Sequence, residues 1–219
     1  MALLKDEDRE QLVKVFSEHL AGPVKIVMFT QAFECEFCTS TRELVQELVD
    51  THDDLSLEVL DFVADKEKAA LYEIDKIPAL VLLDADDKDY GIRFYGIPAG
   101  YEFTSLIEDI LDVAKGESIL TEAVKEELDK VTEPVHIQVF VSPTCPYCPP
   151  VVRAAHKFAM YNKNIIGDMV EVAEFPYLSN KYDVQGVPKA VFNDDFELTG
   201  AQPELDLAKK AVESQKAVN

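Results

Sequence analysis

The stretch Ser142-Pro143-Thr144-Cys145-Pro146-Tyr147-Cys148-Pro149-Pro150 decides how this chain is read. It sets two cysteines three positions apart, directly after the apolar run 137–141. That run reads as a buried strand. Beyond the cysteines, Val151, Val152, Ala155, Phe158 and Ala159 share one face of a helix. A Cys-x-x-Cys at a strand-to-helix junction is the arrangement expected of a dithiol redox site.

Toward the N-terminus the same pattern has already occurred once. Leu12, Val13, Phe16 and Leu20 give a helical face that Gly22-Pro23 ends. The run 24–29 is apolar on both sides, as a buried strand is. After five intervening residues comes Cys35-Glu36-Phe37-Cys38, then a helix with Leu44, Val45, Leu48 and Val49 on one face. The spacing then predicts a strand over 57–63, a short helix over 66–72, a strand over 79–83 and its hairpin partner over 92–95. A helix over 101–113 closes the half. After Lys115-Gly116-Glu117-Ser118 the order restarts: helix 119–128, strand 136–141, the second cysteine pair and its helix. Strand 169–172, a short helix over 178–182, strands 189–192 and 196–198, and a last helix from 204 complete it.

The chain is therefore an internal repeat, divided as 1–117 and 118–219. From Cys35 to Pro78 is 43 positions, and from Cys145 to Pro188 is also 43. Both prolines follow a β-branched residue, Ile77 or Val187, and both open an apolar strand. Two zinc knuckles would have no reason to keep that distance, although two Cys-x-x-Cys pairs can hold one structural zinc.

Composition narrows the function classes. With 219 residues, 47% of them apolar, the chain can build a packed core. A net charge of −21 argues against nucleic acid and against anionic lipid. The first half carries most of that charge, −16 against −5 for the second. No signal peptide is visible and no apolar run nears the roughly 20 residues that span a bilayer. Cytoplasmic localisation is the expectation. All four cysteines sit in the two pairs, which in a cytosolic chain points to redox chemistry or metal.

Strand, Cys-x-x-Cys, helix, strand, helix, Xaa-Pro, strand, strand, helix is the layout of the thioredoxin fold: α/β, a central mixed sheet flanked by helices. Two in tandem resemble the glutaredoxin-like protein disulfide oxidoreductases of hyperthermophilic archaea and bacteria. The residues that carry the resemblance are Cys145-Pro146-Tyr147-Cys148, Gly186-Val187-Pro188-Lys189 and Gly200-Ala201-Gln202-Pro203-Glu204. In the first unit they are Ile77-Pro78 and the stretch 90–100. The resemblance implies cis prolines at 78 and 188 lying against the dithiols, with Ile77 and Val187 pairing their backbones to an extended substrate peptide. It implies reduction, oxidation or isomerisation of protein disulfides, with no bound cofactor and electrons drawn from NADPH through a thioredoxin reductase-like flavoprotein. One departure is plain. Thioredoxins carry a buried acid six residues before the first cysteine, where this chain has Phe29 and Val139.

Exchange needs a thiolate to attack a disulfide sulfur and a second thiol to resolve the mixed disulfide. Cys145 is the expected nucleophile, at a helix N-terminus that lowers its pKa, and Cys148 the resolving thiol. Pro146 suits the first helical turn, and Tyr147 is expected to shape substrate access. Cys35 and Cys38 form the second expected dithiol. Glu34 and Glu36 flank Cys35, and like charge disfavours its thiolate, so Cys145 is expected to be the more acidic. On that ground Cys35–Cys38 also reads as a structural disulfide. His19, His52, His136 and His156 lack ligand spacing and read as packing or surface residues. The acidic turn 84–89 reads as a solvated loop.

Two other functions fit the motifs. Tandem thioredoxin units also resemble the N-terminal domain of the flavoprotein that reduces bacterial peroxiredoxins, where one unit has lost its dithiol; that is an electron relay to a peroxiredoxin. A redox-inert scaffold binding extended peptide beside the prolines is the reading from another class.

Overall fold

A computed structural model describes residues 3–215. The first unit runs α1 (Asp6–His19), β1 (Val24–Thr30), α2 (Cys38–Val49), β2 (Leu55–Asp61), α3 (Lys66–Leu71), β3 (Ala79–Leu83), β4 (Asp89–Tyr95) and α4 (Glu102–Lys115). The second repeats the order as α5 (Glu122–Leu128), β5 (Val135–Val141), α6 (Pro149–Tyr161), β6 (Ile165–Glu171), α7 (Pro176–Lys181), β7 (Lys189–Phe192), β8 (Phe196–Thr199) and α8 (Glu204–Ser214).

The units do not keep separate sheets. All eight strands form one sheet in the order β2-β1-β3-β4-β6-β5-β7-β8. The seam is β4 against β6, parallel, with Ile92 opposite Gly167 and Tyr95 opposite Val170. β1 is antiparallel to β3, β3 to β4, and β4 is parallel to β6 as β6 is to β5. β1 and β5 therefore point the same way, and both cysteine loops leave the same end of the sheet.

Alternation along the strands sorts the core onto two faces. Ile26 and Met28 of β1 face a cluster with Leu12, Phe16, Val45, Leu48, Ile110, Phe158 and Leu207, drawn from the long helices. Val27 and Phe29 face the short helices, through Ala69, Phe175 and Leu178. This is the period of two that a pleated strand imposes.

Element edges differ from the sequence expectation where side chains intervene. β2 spans Leu55–Asp61 rather than 57–63, because Asp61 Oδ1 accepts the N–H groups of Val63 and Ala64 and turns the chain out of the sheet. β6 begins at Ile165, four residues earlier than expected, because it pairs along its whole length with β5. α5 starts at Glu122, leaving Ile119 exposed.

Polar groups also cross the seam. On the long-helix face, Arg153 of α6 meets Glu108 at 3.0 Å and Asp112 at 2.5 Å, and also pairs with Asp109, all from α4. Asp109 Oδ2 lies 2.6 Å from His156 Nδ1, with both side chains fully buried. Burial, then the Arg153 charge, pushes His156 down to about 3, so the neutral ring donates to the carboxylate. On the opposite face, Asp168 pairs with His136 at 2.6 Å and with Lys76 of the first unit at 3.8 Å. His136 and His156 are thus packing residues of the seam.

Candidate functional site

Each cysteine pair sits where a strand gives way to a helix. The Cys35 and Cys38 Cα atoms are 5.4 Å apart, those of Cys145 and Cys148 5.6 Å, and both pairs are disulfide-bonded. Among the described residues no group of three or more His, Cys, Asp or Glu is placed to hold a metal ion. In each pair the second cysteine is the deeper: Cys38 is 3% exposed, and Cys148 is 0% exposed against 8% for Cys145.

The second pair differs in one detail from the sequence expectation. α6 begins at Pro149, with Cys148 as its N-cap. Pro146 therefore lies in the turn before the helix. Pro149 and Pro150 open the first turn instead, where a missing N–H costs no hydrogen bond. Cys145 likewise lies in the turn before the helix, four residues ahead of Pro149 rather than at the helix N-terminus, with its N–H donating to the Ser142 carbonyl at 3.1 Å. In the first unit α2 begins at Cys38 itself, and the Thr41 hydroxyl donates to the Phe37 carbonyl at 2.8 Å.

The prolines are brought to the same end. The Ile77–Pro78 and Val187–Pro188 bonds are both cis. Cys145 Sγ lies 3.8 Å from the Val187 carbonyl oxygen, which joins the second dithiol to its prolyl strand. Ile77 and Val187 are half-buried while Pro78 and Pro188 are buried. Tyr147 is 68% exposed beside Cys145, and Phe33, preceding the first pair, is 82% exposed.

Residues that the sequence reading missed come from the β4–α4 loop. Tyr101 donates its N–H to the Pro143 carbonyl at 3.0 Å, two residues before Cys145. Gly100 lies so close that a Cβ there would sit 2.1 Å from the same oxygen, and its φ is +62°. Only glycine meets both demands. Next in the chain, Glu102 is 1% exposed. One of its oxygens accepts from the Ser105 hydroxyl at 2.7 Å and the other has no partner. Burial pushes this carboxyl up to about 7, with Ser105 pulling it down. The signal was present in the sequence. Glu102 and Asp109 lie on the stripe 102, 105, 106, 109, 110, 113, which is the buried face of α4.

A thioredoxin domain model matches residues 135–213. Among solved structures, the chain is similar to a protein disulfide oxidoreductase from Aeropyrum pernix, with a TM-score of 0.88 and 28% identity over 97% of this chain and 94% of that one. It is similar also to the alkyl hydroperoxide reductase AhpF of Enterococcus faecalis, with a TM-score of 0.87 and 27% identity over 95% of this chain and 99% of that one. In sequence it is 34% identical over 131 residues to the alkyl hydroperoxide reductase AhpF of Staphylococcus epidermidis, covering 59% of this chain and 25% of that protein. The chain spans about a fifth to a third of the length of the curated relatives it matches. It has the fold of two tandem thioredoxin-like units with a Cys-x-x-Cys in each, and resembles the protein disulfide oxidoreductases as its sequence implied.

Proposed function

We propose that this chain is a dithiol–disulfide oxidoreductase acting on proteins, with its units divided at 117/118. The observation that carries the reading is Cys145 Sγ set 3.8 Å from the Val187 carbonyl, at the mouth of a strand-to-helix turn. There a peptide bound along the prolyl strand would present its disulfide to the sulfur. The Cys145 thiolate attacks one substrate sulfur, and the S–S bond breaks to release the other as a thiolate. Cys148 then loses its proton and attacks Cys145, freeing the second substrate sulfur and closing the Cys145–Cys148 disulfide. Substrate gains two electrons and the protein loses two. The proton that Cys148 gives up passes to solvent. Cys35 and Cys38 carry out the same sequence in the first unit, with Ile77 and Pro78 as its peptide-binding strand.

Electrons would enter from NADPH through a thioredoxin reductase-like flavoprotein. The setting is a reducing one, the cytoplasm; no helix among the described residues is long and apolar enough to cross a membrane. Similarity to the alkyl hydroperoxide reductases supports a second reading, a relay from a flavoprotein to a peroxiredoxin. The presence of both dithiols favours the broader activity.

Insulin reduction with dithiothreitol tests this, comparing wild type with Cys35→Ser and Cys145→Ser. Cys145→Ser is expected to lose most of the activity and Cys35→Ser a smaller share. No activity in any form would leave the peptide-binding scaffold standing. Slow insulin turnover alongside fast reduction of a peroxiredoxin would favour the relay.

A further inference from the structure

The first dithiol has a support that the second lacks. Gly96 donates its N–H to the Pro78 carbonyl at 3.0 Å, and Gly200 does the same for Pro188 at 2.8 Å. Beyond this match the two loops part. The next residue in the first unit, Ile97, donates its N–H to Glu174 Oε1 at 2.6 Å, and Glu174 belongs to the second unit. Its counterpart in the other loop, Ala201, is exposed. The contact at Glu174 is close. A Cβ on Gly96, where φ is +89°, would lie 2.8 Å from both Glu174 Oε1 and Glu171 Cβ. Glu174 Oε2 is buried and has no hydrogen-bond partner. The charged groups that face this carboxyl are Glu171, at the end of β6, and Glu36, inside the first Cys-x-x-Cys.

We propose that Glu174 is a positioning residue for the first dithiol, supplied across the seam by the second unit. It fixes the loop bound to the Pro78 carbonyl, and its charge, set near Glu36, holds back formation of the Cys35 thiolate. The inference rests on reading Cys35 and Cys38 as a working dithiol. Burial pushes the Glu174 carboxyl up to about 7; the Ile97 N–H opposes this, and Glu171 and Glu36 add to it. Its negative charge therefore develops as the pH rises through neutrality. Over that range it reinforces the field of Glu36, and like charge makes the Cys35 proton harder to lose. The reaction affected is ionisation of Cys35 to thiolate and a solvent proton. The matching loop of the second unit carries no such carboxyl contact at Ala201, so Glu174 adds to the inequality that Glu34 and Glu36 already set between the two sites.

The test is alkylation of the fully reduced chain by iodoacetamide between about pH 5.5 and 8.5. Cys35 and Cys145 are followed separately by mass spectrometry in wild type, Glu174→Gln and Glu174→Asp. Glutamine keeps an oxygen for the Ile97 N–H but carries no charge. The expected ratio of variant to wild-type rates at Cys35 is near one at the acid end and roughly three- to tenfold at the alkaline end. At Cys145 it stays near one throughout. Glu174→Asp, which keeps the charge, is expected to follow the wild-type pH profile. A Cys35 ratio that does not change with pH, or a change shared equally by Cys145, would overturn the proposal. Alkylation reads the thiol directly, so failure of Cys35 to turn over protein disulfides would count against the proposed activity and not against this inference.

Discussion

Glu102 is a carboxyl that the fold holds near its neutral form. Its pKa is raised to about 7 from an ordinary 4.5, so the native state binds a proton that the unfolded chain has already released between those values. A raised acid is least costly below its unfolded pKa. The stability it leaves intact at low pH is lost as the pH climbs through about 7. Glu102→Gln removes the titration and keeps an acceptor for Ser105. We expect the variant to be more stable than wild type by about 3 kcal/mol at pH 8 and equal to it near pH 4.5, read from urea midpoints. Residue identity alone did not disclose this group. Its position carries the signal that the sequence reading passed over, since an acid on the apolar stripe of an amphipathic helix must be buried or paired. Asp109 obeys the same rule by pairing, with His156 and Arg153.

At the scale of elements, the β4–α4 loop belongs by sequence to the first unit and by contact to the second. Gly100→Ala would force a methyl against the Pro143 carbonyl and strain a left-handed φ. We expect this substitution to lower turnover at Cys145 by on the order of 10- to 100-fold, as misplacement by about an ångström does. Alkylation of Cys35 should be unchanged, and the contrast between the two sites is the measurement. Strands, helices and both dithiols were legible in the sequence because each follows from local periodicity and from a spacing repeated within one chain. The seam was not. Strand β4 reads as the second arm of a hairpin, and nothing local says that its free edge takes β6. The trace it leaves is Arg93, 2% exposed in β4. It is held by the Tyr72 carbonyl at 2.9 Å and by Asp89 at 2.6 and 2.7 Å, as a charge in a central strand must be.

Across the whole molecule, the seam makes two repeats one folding unit. A continuous sheet and a buried Asp109–Arg153–His156 cluster predict a single unfolding transition, monitored alike by tyrosine fluorescence and circular dichroism. Asp109→Ala strips the partner from His156 and from one arm of Arg153. It should cost about 3 kcal/mol and separate the transition into two. Glu108→Ala, at a side chain 55% exposed in the same cluster, should cost under about 1 kcal/mol and leave it single.

The shared direction of β1 and β5 has a kinetic consequence. The two strands stand four places apart in the sheet, about 19 Å at ordinary strand spacing. That is too far for one dithiol to attack the other and close enough for both to reach one client. A polypeptide tethered to Cys145 as a mixed disulfide meets Cys35 at an effective concentration set by the slack in its own chain, in the millimolar range for short flexible segments. Clients with two disulfides separated by at least about six residues, the fewest that span 19 Å when extended, would then be processed in one encounter, and clients with a single disulfide would gain nothing from the second site.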